Sequence, residues 1–214
     1  MAATIELNKT TTELQAWVVL DDNASGTPFL VTPQIDISSE VSCLIQADMA
    51  QCNTTAIGTA GECIFYGKTG STHDDWHEFA RRSYGTIAST SCDLSSGVAS
   101  GEISCGMTDT SGVFIGNRVL IYCASTPANS MVNTIADISA DQQLYFCMSV
   151  IQDFTITQTE IMCQTAAAGH GVAQWVIRVP EEFWAARVSF HNDDADVNYL
   201  IRCQYNFITD YTSV

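Results

Sequence analysis

The residues whose types and spacing come closest to chemistry are His73-Asp-Asp-Trp-His77-Glu78. On a helix, histidines at i and i+4 share a face and can chelate one metal, with a carboxylate as third ligand. Such a site would make the chain a metal-dependent hydrolase using His73 and His77. The zinc-protease pattern, however, needs Glu directly after the first histidine, where it acts as base. Asp74 stands there instead, with a shorter side chain, at the helix start. A solvated helix start is the simpler account of the same residues.

The other candidates fail on pattern. Gly67-Lys68-Thr69 resembles the end of a phosphate-binding loop, but Glu62 occupies the position of the required first glycine and Gly61 is one residue out of register. Asp193, Asp194 and Asp196, like Asp21, Asp22 and Asn23, are hard oxygen ligands that can hold Ca²⁺. Neither group has the alternation of an EF-hand loop, and turns select Asp and Asn for local hydrogen bonding. No G-x-S-x-G elbow occurs, and nothing beside His170 marks it as a general base. Trp17, Trp76, Trp175 and Trp184 can build a sugar-stacking platform if exposed, but all four sit in patterned segments, which favours core packing. The sequence therefore assigns no catalytic residue, no metal ligand and no cofactor.

Nine cysteines (43, 52, 63, 92, 105, 123, 147, 163 and 203) lie at wide spacings without a CxxC pair, so a zinc cluster is poorly supported. Several fall inside apolar runs, as buried thiols acting as small hydrophobes do. Disulfides among Cys43, Cys52 and Cys63 are the alternative.

The elements that would position any such site read as strands. Short runs rich in Val, Ile, Thr, Phe and Tyr recur between clusters of Gly, Asn, Asp, Ser and Pro. The pattern predicts an all-β, antiparallel, jelly-roll-like β-sandwich, one domain over residues 1–214, with a loop-rich stretch at 92–112. Trp184, Ala186, Val188 and Phe190 alternate on one face, and Tyr199, Ile201, Cys203, Tyr205 and Phe207 on another, around an Asn/Asp-rich turn. These two runs read as an antiparallel hairpin. One short helix is expected near residues 73–83: Ser71 and Thr72 cap it, Trp76, Phe79 and Ala80 share a face, and Gly85 stops it.

Composition bounds the function. Of 214 residues, 46% are hydrophobic, enough for a sizeable core, and only 15% are charged, against about 25% typically. Eight Lys and Arg against 24 Asp and Glu give a net charge of −16, which disfavours direct nucleic-acid or membrane-surface binding. The N-terminal residues show neither the basic nor the apolar region of a signal peptide, so synthesis in a cytoplasm is expected. Sequons at Asn8, Asn23 and Asn53 then read as chance matches.

A sandwich without catalytic residues, poor in Lys and rich in Ser and Thr, fits a component that assembles. The expected role is a non-enzymatic virion structural protein of a phage or virus, in capsid, decoration, tail or fibre. Its partners would be itself, as a homo-oligomer, and other virion proteins. A carbohydrate-binding sandwich, with a glycan as ligand, is the second reading.

Overall fold

A strand leaves its backbone groups unpaired within its own segment, so β-rich runs must find partners elsewhere in the chain. The computed structural model describes residues 5–22, 24, 26, 28–40, 42–52, 57–71, 75–84, 89–111, 113–123, 125–154, 159–164 and 172–213. The strands are β1 (Ile5–Leu20), β2 (Phe29–Val31), β3 (Ile35–Asp36), β4 (Ser42–Gln51), β5 (Glu62–Lys68), β6 (His77–Ser83), β7 (Ser89–Asp93), β8 (Ser104–Gly106), β9 (Arg118–Cys123), β10 (Met131–Ile138), β11 (Gln143–Phe146), β12 (Thr159–Gln164), β13 (Val172–Arg178), β14 (Ala185–His191) and β15 (Tyr199–Ser213). The protein is all-β: the described residues hold no α-helix, and their strands pair antiparallel in three sheets.

The central sheet runs β1-β15-β4-β13 and the outer sheet β2-β14-β5-β6, with β3 also on β14. Pro33 interrupts the run from Phe29 to Ile37, because proline lacks the N–H that a continuous strand would need there. Taking β2 and β3 as one interrupted strand and setting β7–β12 aside, eight strands remain. They cross repeatedly between the two sheets, and β5 and β6 alone are sheet neighbours in succession. That winding is the jelly roll. The strands from β7 to β12 are inserted between β6 and β13 and form the third sheet, ordered β7-β12-β9-β10-β11-β8.

Three apolar clusters hold these layers. Between the central and outer sheets lie Ile45, Met49, Phe65, Val188, Phe190, Tyr199 and Ile201, all fully buried. The inserted sheet has its own cluster, including Val119, Ile135, Leu144, Phe146 and Phe154. A smaller cluster joins the other face of the central sheet, through Trp17, Ala50, Val172 and Leu200, to Leu120, Tyr122 and Val132. The central sheet is thus covered on both faces where β9 and β10 reach it, which is why β4 is buried residue after residue toward Gln51.

Two expectations are corrected. The helix expected near residues 73–83 does not form among the described residues: residues 77–83 form strand β6, paired with β5. The register runs Phe65 to Ala80 and then Tyr66 to Glu78, which leaves Phe79 as an extra residue, a β-bulge. Phe79 and Ala80 both pack toward the main core, so a bulge reproduces the i+3, i+4 spacing of a helical face.

The expected hairpin of 184–207 also does not form. β14 belongs to the outer sheet and β15 to the central one, and their alternating faces meet across the core. Two apolar faces around a polar turn describe a sandwich arch as well as a hairpin; the turn decides. Here Asn192 and Asp194 are buried and tie residues 192–198 to Asp21, Gly58 and Thr59, which carries the chain across. The stretch 92–112 contributes the end of β7, all of β8, and bridges from Leu94 to Met107 and from Val98 to Phe154.

Candidate functional site

The positions singled out from sequence are dispersed. His77 is exposed at the start of β6, opposite Gly67, so the helical chelation geometry does not arise; His73, His170 and Asn23 lie outside the described residues. Glu78 is taken by Arg81, whose Nε and Nη2 donate to it at 3.1 and 2.8 Å, and this bonding lowers the carboxyl pKa.

In the Asp-rich turn, Asp194 accepts from the backbone N–H groups of Gly58, Thr59 and Asp196 at 2.8 to 2.9 Å. These donors, the Thr59 N–H first, hold its carboxyl below the ordinary range. They take three of the carboxylate's roughly four lone-pair positions, which leaves little of it for a cation. Among the described residues, no three His, Cys, Asp or Glu side chains gather to hold a metal ion, and no helix is long and apolar enough to cross a membrane.

Gly67 serves packing. A Cβ there would stand 2.3 Å from the ring of Phe183. Cys43, Cys63 and Cys203 are free thiols in the main core and Cys105 is buried in the inserted sheet, while Cys52 is partly buried and Cys147 exposed. The disulfide alternative among Cys43, Cys52 and Cys63 is thereby corrected.

What sequence reasoning missed is on the outer face of the outer sheet. β14 turns Arg187, Ser189 and His191 to that face at period two, opposite Tyr66, Ile64 and Glu62 of β5. The polypeptide entering β6 brings Trp76 over the same strands. The Arg187 guanidinium lies 4.2 Å from the centre of the Trp76 ring and 5.8 Å from that of Tyr66, so the cation packs against two π-faces. Lys68 Nζ stands 5.7 Å from the Trp76 ring on its own account.

Further along β14, Phe29 of β2 stacks on His191 at 6.4 Å and 22°, and His191 Nε2 shares a 2.6 Å hydrogen bond with the Ser189 hydroxyl. Phe29 remains 56% exposed, which leaves aromatic surface to a ligand. The core-packing expectation holds for Trp17, which is buried; Trp76 instead lies half-buried on this outer surface.

Arg187 is unusual in a chain with three times as many acidic as basic residues. Arg81, Arg178 and Arg202 each have a carboxylate partner. Among the described residues Arg187 has none, nor any hydrogen bond, and its Nε is buried without an acceptor. A buried donor left unpaired costs about 1–3 kcal/mol. The ring contacts return part of that, about 0.5–2 kcal/mol each when desolvated. Chemically the arrangement is a fork of donors fixed by two aromatic walls, complementary to a planar anion.

No protein-family model matches the sequence, and no curated protein does. Solved structures give loose likenesses. The Gp54 tailspike of Acinetobacter baumannii bacteriophage AP22, in complex with A. baumannii capsular saccharide, matches 36% of this chain and 14% of its own at 16% identity and a TM-score of 0.31. VP17, a capsid protein of bacteriophage P23-77, matches 96% of this chain and 99% of its own at 11% identity and a TM-score of 0.18. The infectious bursal disease virus VP2 subviral particle matches 96% and 42% at 11% identity and a TM-score of 0.22. The chain spans about a seventh of the tailspike and under half of VP2.

Proposed function

We propose that this chain is a non-enzymatic structural subunit of a virus or phage particle, in capsid, decoration, tail or fibre, acting by self-assembly and by contact with other particle proteins. The observation that carries this reading is a set of exposed apolar side chains around the inserted sheet: Ile103, Phe114, Ile115, Met148 and Ile151. They border β8, β10 and β11 through short links. Ile103 O accepts from Phe146 N–H, Met148 O from the Asn133 side chain, and Ile135 O from Gly116 N–H. Exposed apolar groups of this size, gathered around one sheet of the fold, support a reading in which that sheet is covered in use. A jelly roll is also a frequent wall-building unit, a supporting argument at the level of fold alone.

The test is assembly. Size-exclusion chromatography with light scattering, then negative-stain microscopy, should find a closed oligomer or an ordered lattice. Ile115→Glu and Ile151→Glu should reduce it to monomer with an unchanged circular dichroism spectrum. A wild-type chain that stays monomeric across a hundredfold concentration range would overturn the reading.

A further inference from the structure

We propose that the outer face of the outer sheet is a binding site for an acidic saccharide, with Arg187 receiving the sugar carboxylate between Trp76 and Tyr66. The proposal is independent of assembly and rests on different residues.

Three observations carry it. First, the Arg187 guanidinium packs over two rings yet has no acceptor among the described residues, although carboxylates outnumber cations threefold in the chain. A fold that needed only a structural cation could have given it one of them. Its Nε is buried, while its two terminal nitrogens, also without a partner among the described residues, are not, so the fork is open on its outward edge. Guanidinium and carboxylate match bidentately, which a lysine in the same place could not do.

Second, aromatic surface continues along the same strand. His191, stacked on the exposed Phe29, stands four residues from Arg187 on β14, roughly 13 Å at the rise of a strand. Sugar C–H faces pack on such rings, and the interval suits a short oligosaccharide lying along the strands. Third, the face is rigid. Arg187 and Tyr66 are register partners in a paired ladder, and Glu62 and Arg81 bridge β5 to β6 beside them. A preorganised site loses little side-chain entropy on binding.

The carboxylate selects the class. An overall charge of −16 repels anions, so a ligand attracted here must meet a local cation. A neutral sugar would use the rings and leave the guanidinium unsatisfied.

Titration calorimetry of the full chain tests this with three probes: tetragalacturonate, its carboxyl-reduced neutral counterpart, and a tetraglutamate peptide. Tetragalacturonate should bind at least about tenfold more tightly than either of the others. Arg187→Gln should abolish that preference, Arg187→Lys should retain only part of it, and Phe29→Ala should weaken tetragalacturonate alone. Equal binding of the neutral sugar, equal binding of tetraglutamate, undiminished binding by folded Arg187→Gln, or no binding of tetragalacturonate would each overturn the proposal. Melting curves on the same samples keep a folding defect apart from a binding defect.

Discussion

The carboxylate of Asp48, fully buried, accepts hydrogen bonds from Nε and Nη2 of Arg202 at 2.9 and 2.5 Å. The pair joins β4 to β15, register partners in the central sheet, on the face turned toward the inserted sheet. Gln46 and Gln174 donate to the same carboxylate, and the guanidinium lies 4.7 Å from the ring centre of Trp17. Every strand of the central sheet thus sends at least one side chain to this knot, and β4 sends two, Gln46 and Asp48.

Breaking that knot from one side should be costly. Asp48→Asn or Arg202→Met leaves its partner's charge or donors buried and uncompensated, and each should destabilise by about 3–5 kcal/mol. Asp48→Leu with Arg202→Met should recover a large part of the loss, because a well-packed apolar pair avoids desolvating two charges. Urea denaturation of the three variants reads this directly. Additive losses in the double variant would mean that the residues act separately.

Leu120 reports on whether the layers unfold together. It is fully buried in the small cluster between the central and inserted sheets, and Arg118 on the same strand reaches Gln174 of β13 at 3.4 Å. We read the chain as one cooperative unit tied at this seam. Scanning calorimetry should show one transition for the wild type. Leu120→Ala, at a cost of about 2–5 kcal/mol, should split it in two. Two transitions in the wild type would show that the inserted sheet is independent.

The fold class was legible because alternation is a local property, written into Ala186, Val188 and Phe190 and into Tyr199, Ile201 and Cys203. Sheet membership was not, since both a hairpin and an arch bury those faces. β10 is hard to read from sequence for a physical reason: Asn133 sits 1% exposed on its inward side, satisfied by the Met148 carbonyl, and so breaks the apolar pattern. The Arg187 site was least legible of all. Arg187 reads as one polar position on a solvent-facing row, and only the register to Tyr66 and the path of the residues before β6 bring Trp76 to it.

Asp194 should shape the acid limb of stability. Its backbone donors, the Thr59 N–H first, lower its pKa in the folded state. A depressed carboxyl contributes stability that is fully present above the unfolded value of about 3.9 and is lost as pH falls through the folded value. Asp194→Asn should therefore destabilise at pH 7 and lose less than the wild type between pH 5 and pH 3. Thermal melts across that range check it; parallel curves for the two proteins would remove the charge from the account.

Thiol reactivity tests the core arrangement. Burial pushes the Cys43 thiol up to about 12, with the Glu40 charge adding, and burial alone does the same for Cys105. Cys63, with the Cys203 charge adding, and Cys203, with those of Asp48 and Cys43 adding, are also raised, burial again leading. Only the thiolate alkylates, so at pH 8 a thiol shifted to about 12 should react roughly a thousandfold more slowly than an ordinary one near 8.5. Exclusion of the reagent slows it further. Iodoacetamide pulses followed by peptide mass mapping should label the exposed Cys147 long before Cys43, Cys63, Cys105 and Cys203, and urea should abolish the difference. Labelling of Cys43 or Cys203 in the native protein at the pace of Cys147 would mean that the space between the central and outer sheets admits water, which the packing of Ile45, Phe65 and Tyr199 forbids.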